Sequence, residues 1–356
     1  MKKTQVALAA LALVASTAAL ADVKMYGAAD ITVVNTKAGT VISPGDNVGS
    51  ILGITAGEDL GGGLSVGANL ELGYSPGDGL MRNGGTQTNY NAVFNRAANV
   101  SLGTKELSIK AGLQLSPWIA TLGSGLNAVG GNGLNVPAMY ILGSQGAANP
   151  AVGFFIPNAV SINFDSNGFN GSVLRTVVTE VDATAATAGV QAGNGRTSSY
   201  TAARVGTSVM GINLNLGYES NKNLGASDAI DYNVYGIMAS MPLTSELTLN
   251  GGYTNRRVGS ADATGAANQT AYTVGASYQV SQPLAIGLNY TSNNASSKAT
   301  MLGLGTRYNF SKATAVYLNY AKFENMAAGA ILQNGGALDT GTYNSTAVGL
   351  GLSHSF

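Results

Sequence analysis

The sequence predicts an all-β fold, a transmembrane antiparallel up-and-down barrel of about sixteen strands, and three observations lead to it. Apolar and small polar residues alternate along many segments, as Leu64, Val66, Ala68, Leu70, Leu72 and Tyr74 do against Ser65, Gly67, Asn69, Glu71 and Gly73. That period of two puts the two sets on opposite faces of a strand, and a face of glycine, serine and asparagine is no soluble core. Composition is the second observation: 45% of the chain is hydrophobic and only 10% is charged, where an ordinary soluble domain carries about a quarter charged residues. Much of the outside is therefore expected to face lipid. Thirdly, no apolar run after Ala21 reaches the roughly 18 residues of a spanning helix. Strands must then do the crossing, and only a closed barrel satisfies every backbone donor and acceptor in lipid.

The first element, Met1 to Ala21, reads as a secretory leader. Lys2 and Lys3 form a basic start, Val6 to Ala15 an apolar stretch, and Ala19-Leu20-Ala21 a small-residue cleavage site. Cleavage between Ala21 and Asp22 leaves residues 22–356 as the barrel, and the apolar stretch is too short to serve as an anchor.

Turn residues then delimit strands at 23–36, 47–57, 63–74, 91–103, 106–116, 158–165, 170–181, 198–209, 211–220, 231–241, 246–257, 269–280, 283–292, 297–310, 313–324 and 342–356. Short connections such as Thr104-Lys105-Glu106, Met210-Gly211 and Ser311-Lys312 alternate with long ones at 75–90, 117–157, 182–197, 258–268 and 325–341. Short turns on one rim and long loops on the other characterise an outer-membrane barrel, and aromatics at strand ends (Tyr74, Tyr253, Tyr290, Tyr308, Phe310, Tyr320) are the expected interfacial girdle. In the last strand Val348, Leu350, Leu352, His354 and Phe356 face lipid against Ala347, Gly349, Gly351, Ser353 and Ser355. About sixteen strands leave an open aqueous lumen where eight would be filled by side chains, so the strand number itself predicts a pore.

Two sets of residues could shape that pore. The loop after Pro117 is long enough to fold into the lumen as a constriction, and no residue from Ala111 through Phe164 is charged. Pro117, Trp118, Met139, Tyr140, Phe154 and Phe155 supply its bulk, so it cannot set up a strong transverse field. Alternation turns Asp30, Glu71, Lys110, Arg204, Arg256 and Arg307 inward, four bases and two acids, which predicts a mild anion preference. Rim acids such as Asp46, Asp78, Asp228 and Asp231 would oppose it.

Other chemistry has little to work with. The one histidine, His354, falls on the apolar face of the final strand, where it cannot serve a serine nucleophile, so no enzymatic role is expected. There is no cysteine, which removes disulfides and thiolate-ligated metals, and no metal or cofactor is expected. Gly123-Ser124-Gly125 has Ala128 where a nucleotide fingerprint needs its third glycine. The 18 bases less Lys2 and Lys3 stand against 18 acids, a net charge of about −2 after cleavage, which excludes nucleic acid as a partner.

The chain resembles the general-porin family of β-proteobacterial outer membranes along its whole length. The resemblance rests on Met25-Tyr26-Gly27 with Asp30; Glu58-Asp59-Leu60-Gly61; Phe94-Asn95-Arg96 with Ala98, Val100 and Leu102; Gly112, Gln114 and Pro117; Asn158-Ala159-Val160 with Asp165-Ser166 and Phe169; and His354-Ser355-Phe356. It implies a homotrimer of sixteen-stranded barrels in the outer membrane, surrounded by lipid and lipopolysaccharide, with the third external loop folded inward and Phe356 read by the barrel-assembly machinery. Leu113, Ile51, Thr55 and Ser353 are neutral where the family usually has basic residues.

The expected function is passive diffusion of small hydrophilic solutes and ions, with weak charge selectivity. A channel preferring uncharged or weakly polar solutes and a non-conducting structural or adhesive barrel are the alternatives.

Overall fold

A computed structural model describes residues 22–37, 39–43, 45, 47–81, 93–126, 129, 138, 141–142, 154–177, 198–223, 232–259, 268–294, 298–327 and 342–356. The described strands are β1 (Asp22–Thr36), β2 (Gly39–Ser43), β3 (Ile51–Gly61), β4 (Leu64–Gly73), β5 (Ala97–Gly103), β6 (Leu107–Leu115), β7 (Phe155–Ser166), β8 (Phe169–Thr176) and β9 (Ser198–Val209), followed by β10 (Ile212–Asn223), β11 (Tyr232–Pro242), β12 (Leu247–Val258), β13 (Gln269–Gln279), β14 (Leu284–Asn293), β15 (Thr300–Asn309), β16 (Thr314–Ala327) and β17 (Thr342–Ser355). Each pairs antiparallel with its neighbours, and β17 returns to β1 through Ala28↔Ser355 to Thr36↔Ala347, which closes the sheet. Joining the last strand to the first removes the two edges an open sheet would expose, the condition for a sheet in lipid.

The seventeen strands fill sixteen positions around the barrel. β3 pairs with the first half of β1, Asp22–Ala28, and β2 with the second half, Thr32–Thr36, so the two share one side of it. The segment expected to run as one strand from residue 47 starts only at Ile51, and the strand expected from 91 starts at Ala97.

Local sequence explains the tight turns. Asn167-Gly168 and Met210-Gly211 both take positive φ (54° and 79°, 53° and 82°), the primed turn whose twist matches a right-handed hairpin. Asn and Gly tolerate that backbone; Met210 is held in it with its side chain fully in solvent.

Alternation sorts the faces as expected. Leu216, Ile237, Val274, Leu288, Leu304 and Leu350 are exposed on the outside, while Thr32, Asn215, Thr254, Thr273, Asn289 and Asn319 are buried inward. Outward tyrosines cluster toward the long-loop rim, where Tyr218 pairs with Tyr235 and Tyr253 with Tyr272. The Tyr272 and Tyr290 ring centroids lie 6.1 Å apart. At the opposite rim the Tyr308 and Phe310 rings meet edge to face at 5.2 Å. These are the two aromatic girdles of a membrane barrel.

Candidate functional site

The described part of the connection between β6 and β7 packs against the inner wall of the barrel. It begins with about two turns of helix, α1 (Pro117–Ser124), where the sequence predicts only loop. Ser116 caps it, its Oγ accepting from Trp118 N at 3.1 Å, and Pro117 stands at its first position. Ser followed by Pro is the pattern that could have revealed it, because the cap satisfies an orphan N–H and the ring presets helical φ.

α1 lies inside the barrel against β8, β9, β10 and β11. Small wall residues let it approach: a Cβ on Gly217 would fall 2.6 Å from Thr121 Oγ1, and one on Gly236 would fall 3.1 Å from the Trp118 ring. Further along the connection, Leu142 O accepts from Thr254 Oγ1 at 2.8 Å and Ile141 O from Gln269 Nε2 at 2.7 Å. The wall's inward polar groups thus satisfy loop carbonyls that leave the sheet ladder.

Between loop and wall sits an apolar cluster with Trp118, Leu122, Ile141, Leu142 and Phe154 on the loop side and Leu174, Tyr200, Val234 and Met238 on the wall side. Trp118, with no exposed surface, and Pro117 and Phe154, also buried, all belong to this packed seam and do not point into water. Phe155 opens β7 and carries the Arg96 guanidinium 4.6 Å above its ring. Met139 and Tyr140 lie outside the described residues, as do Ala21, Asp46, Asp228 and Asp231. Asp22 is the first residue of β1.

The base of the loop is tied by a buried chain that alternation did not single out. Tyr200 and Tyr232 donate to the two oxygens of Glu219 at 2.7 and 2.8 Å, and the Tyr200 hydroxyl meets Ser116 Oγ at 2.5 Å. Glu219 is on the inward face of β10 and almost wholly buried. The helix cap and the wall carboxylate therefore form one network.

The wall charges are not equivalent. Asp30 faces inward but has no exposed surface; its carboxylate is enclosed by backbone N–H groups and the Tyr317 hydroxyl. It is an anchor, not the exposed wall charge that alternation suggested. Glu71 accepts from Arg96 Nε at 2.5 Å and from Tyr26 OH at 2.7 Å. Asp30, Glu71 and Glu219 are thus each surrounded by donors. Arg204 and Arg307 rest against neutral amides, Arg204 on Asn215 Oδ1 at 2.9 and 2.6 Å and Arg307 on Asn47 at 3.5 Å, and Arg256 reaches Gln269 Oε1 at 3.3 Å among its contacts. Lys110, inward on β6, forms no ion pair among the described residues. His354 faces outward, its Nδ1 2.9 Å from the hydroxyl of its cross-strand neighbour Thr314.

A family model described as Gram-negative porin matches residues 7–328. Among solved structures, the anion-selective porin from Comamonas acidovorans is 23% identical with a TM-score of 0.69, covering 94% of this chain and 100% of its own. The trimer form of OmpT from Vibrio cholerae is 14% identical with a TM-score of 0.66, covering 94% and 99%. Salmonella typhi OmpF, solved in complex with daunomycin, is 15% identical with a TM-score of 0.62, covering 94% and 97%. No curated protein matches the sequence.

Proposed function

Because this chain belongs to the Gram-negative porin family and forms an outer-membrane channel for passive diffusion, we propose that its lumen passes small hydrophilic solutes and ions with a mild preference for anions. One observation carries the preference: the acids Asp30, Glu71 and Glu219 are wrapped by donors, whereas Arg204 and Arg307 rest against the neutral amides of Asn215 and Asn47. Charge that is locally compensated contributes little field to the water beside it, so the bases set the sign. The reversal potential across a potassium chloride gradient tests this. Anion selectivity that falls in Arg204→Gln and Arg307→Gln supports it, and a cation-selective wild type overturns it.

The charge-free loop does not favour a channel for weakly polar solutes, because its bulky residues Trp118 and Phe154 are packed into the wall. Faster swelling of proteoliposomes with a neutral solute than with an anionic one of the same size would reopen that reading, and equal rates would close it.

The same proposal includes the remaining steps of biogenesis and assembly. The leader is cut between Ala21 and Asp22, which N-terminal sequencing of the outer-membrane form tests. Phe356 is the recognition residue for the assembly machinery, so its deletion should lower the folded yield in cells. Three copies assemble, as in the trimer form of OmpT, with lipid and lipopolysaccharide around the outer apolar face; unheated electrophoresis and native mass measurement test the oligomer.

A further inference from the structure

The chain between β2 and β3 departs from the sheet. Ser43 pairs with Thr32 and Ile51 with Ala28, so the chain from Ser43 to Ile51 spans a gap of only Ala29, Asp30 and Ile31 on β1. The excess leaves the sheet, and Asn47 reaches the inner wall on two other strands. Asn47 Nδ2 donates to Ser353 Oγ of β17 at 2.8 Å, and Asn47 Oδ1 accepts from Arg307 Nη1 of β15 at 3.5 Å.

Asp30 holds the segment there. Its Oδ2 accepts the successive N–H groups of Asn47, Val48 and Gly49 at 2.9, 2.7 and 3.1 Å, while Oδ1 accepts from Tyr317 OH of β16 at 2.5 Å. Ser50 Oγ closes the base, donating to Asp30 O at 2.7 Å and accepting from Asp30 N at 2.9 Å. Successive N–H groups converging on one oxygen form a backbone nest, a concavity that wants an anion. Gly49 at φ 74° supplies its left-handed residue. Gly45 at φ 97° lies so close that a Cβ there would stand 2.2 Å from Asp30 Cγ.

The segment touches β1, β15 and β17, whereas α1 touches β8 to β11. In a closed ring of sixteen positions these are opposite arcs. Arg307 and Ser353 also lie near the short-turn ends of their strands, at Asn309 and Ser355, beside a recess of about 750 Å³ that Lys312 lines as well. We propose that the Asp30-pinned segment is a second constriction of the channel, near the short-turn mouth and opposite the loop helix, with Asp30 as its positioning residue and Asn47 as the group it presents to passing solutes. This rests on the diffusion-channel reading.

The absence of cysteine makes the test clean. In planar bilayers, Asn47→Cys should lose conductance in steps when a water-soluble methanethiosulfonate reagent is added, while Ser245→Cys, on the exposed short turn between β11 and β12, should keep wild-type conductance under the same reagent. Asp30→Asn should raise conductance and the size cut-off for neutral sugars in liposome swelling. An oxidised Asn47→Cys/Ser353→Cys crosslink in the Asp30→Asn background should restore both, which a general loss of stability would not allow. If Asp30→Asn does not fold, Tyr317→Phe removes one donor from the same carboxylate and should shift both quantities in the same direction. Unchanged conductance after Asn47→Cys modification, in channels with wild-type steps, overturns the proposal. A wild type without stepwise conductance would instead overturn the channel reading itself.

Discussion

The ring of Phe356 lies over Gly27, so closely that a Cβ on Gly27 would fall 2.5 Å from the ring Cζ. The two residues also exchange backbone hydrogen bonds, Gly27 N to Phe356 O and Phe356 N to Gly27 O, both 3.0 Å. The C-terminal residue is therefore the last rung of the ladder that closes the barrel.

Gly27→Ala should push the ring aside and crowd Ile51 O, which lies 2.9 Å from the same Cβ position. Overpacking of this kind costs about 1–3 kcal/mol. The urea midpoint of the refolded protein in detergent should fall accordingly, while single-channel conductance should hold because the site faces outward. An unchanged midpoint would show that ring and strand relax freely.

Trp118→Ala empties the centre of the seam between α1 and the wall. Truncating a fully buried aromatic costs about 3–5 kcal/mol, so α1 should dock poorly and conductance become noisier. Tryptophan fluorescence reports the wild-type site without ambiguity, since Trp118 is the single tryptophan. A blue-shifted wild-type emission is expected, and a spectrum of water-exposed tryptophan would contradict the packing.

Glu71→Gln removes one partner of the Arg96 ion pair, whose side chains are 14% and 23% exposed. With partial solvent screening the loss should be about 1–2 kcal/mol, smaller than for a fully buried pair. Arg96→Ala should cost more, because it also removes the contact with the Phe155 ring. Comparison of the two unfolding midpoints decides the order.

Glu219→Ala leaves the hydroxyls of Tyr200 and Tyr232 without their shared acceptor and loosens the Ser116 cap of α1. Buried donors left unsatisfied cost about 1–3 kcal/mol each. Open-channel current noise should rise, and Glu219→Gln, which keeps an acceptor, should lie between wild type and Ala. Equal noise in all three channels would mean that this chain does not tether the loop.

The barrel was legible in the chain because lipid and water act on alternate residues of each strand. Leu350 and Gly351, or Leu288 and Asn289, declare their faces without any knowledge of their neighbours. Boundaries were less legible where the chain leaves the sheet to meet a distant partner. Asn47 to Ser50 read as strand because nothing local shows that Asp30 gathers their N–H groups. Trp118 read as lumen bulk because its partners Gly236 and Met238 are over a hundred residues away. Glu219 is another such case, defined by Tyr200, Tyr232 and a serine in the loop.

The sequence by itself therefore determined the class of the molecule: strands with two solvents on their faces, joined by turns and loops of alternating length. Those are consequences of local periodicity, which one chain carries without reference to contacts. Only the tertiary structure decided which charges meet water. Asp30 and Arg307 both face the lumen by alternation, yet one is wrapped in N–H donors and the other rests against an amide. Whether a charge is compensated depends on groups brought together by barrel closure, and no spacing along the chain encodes that distance.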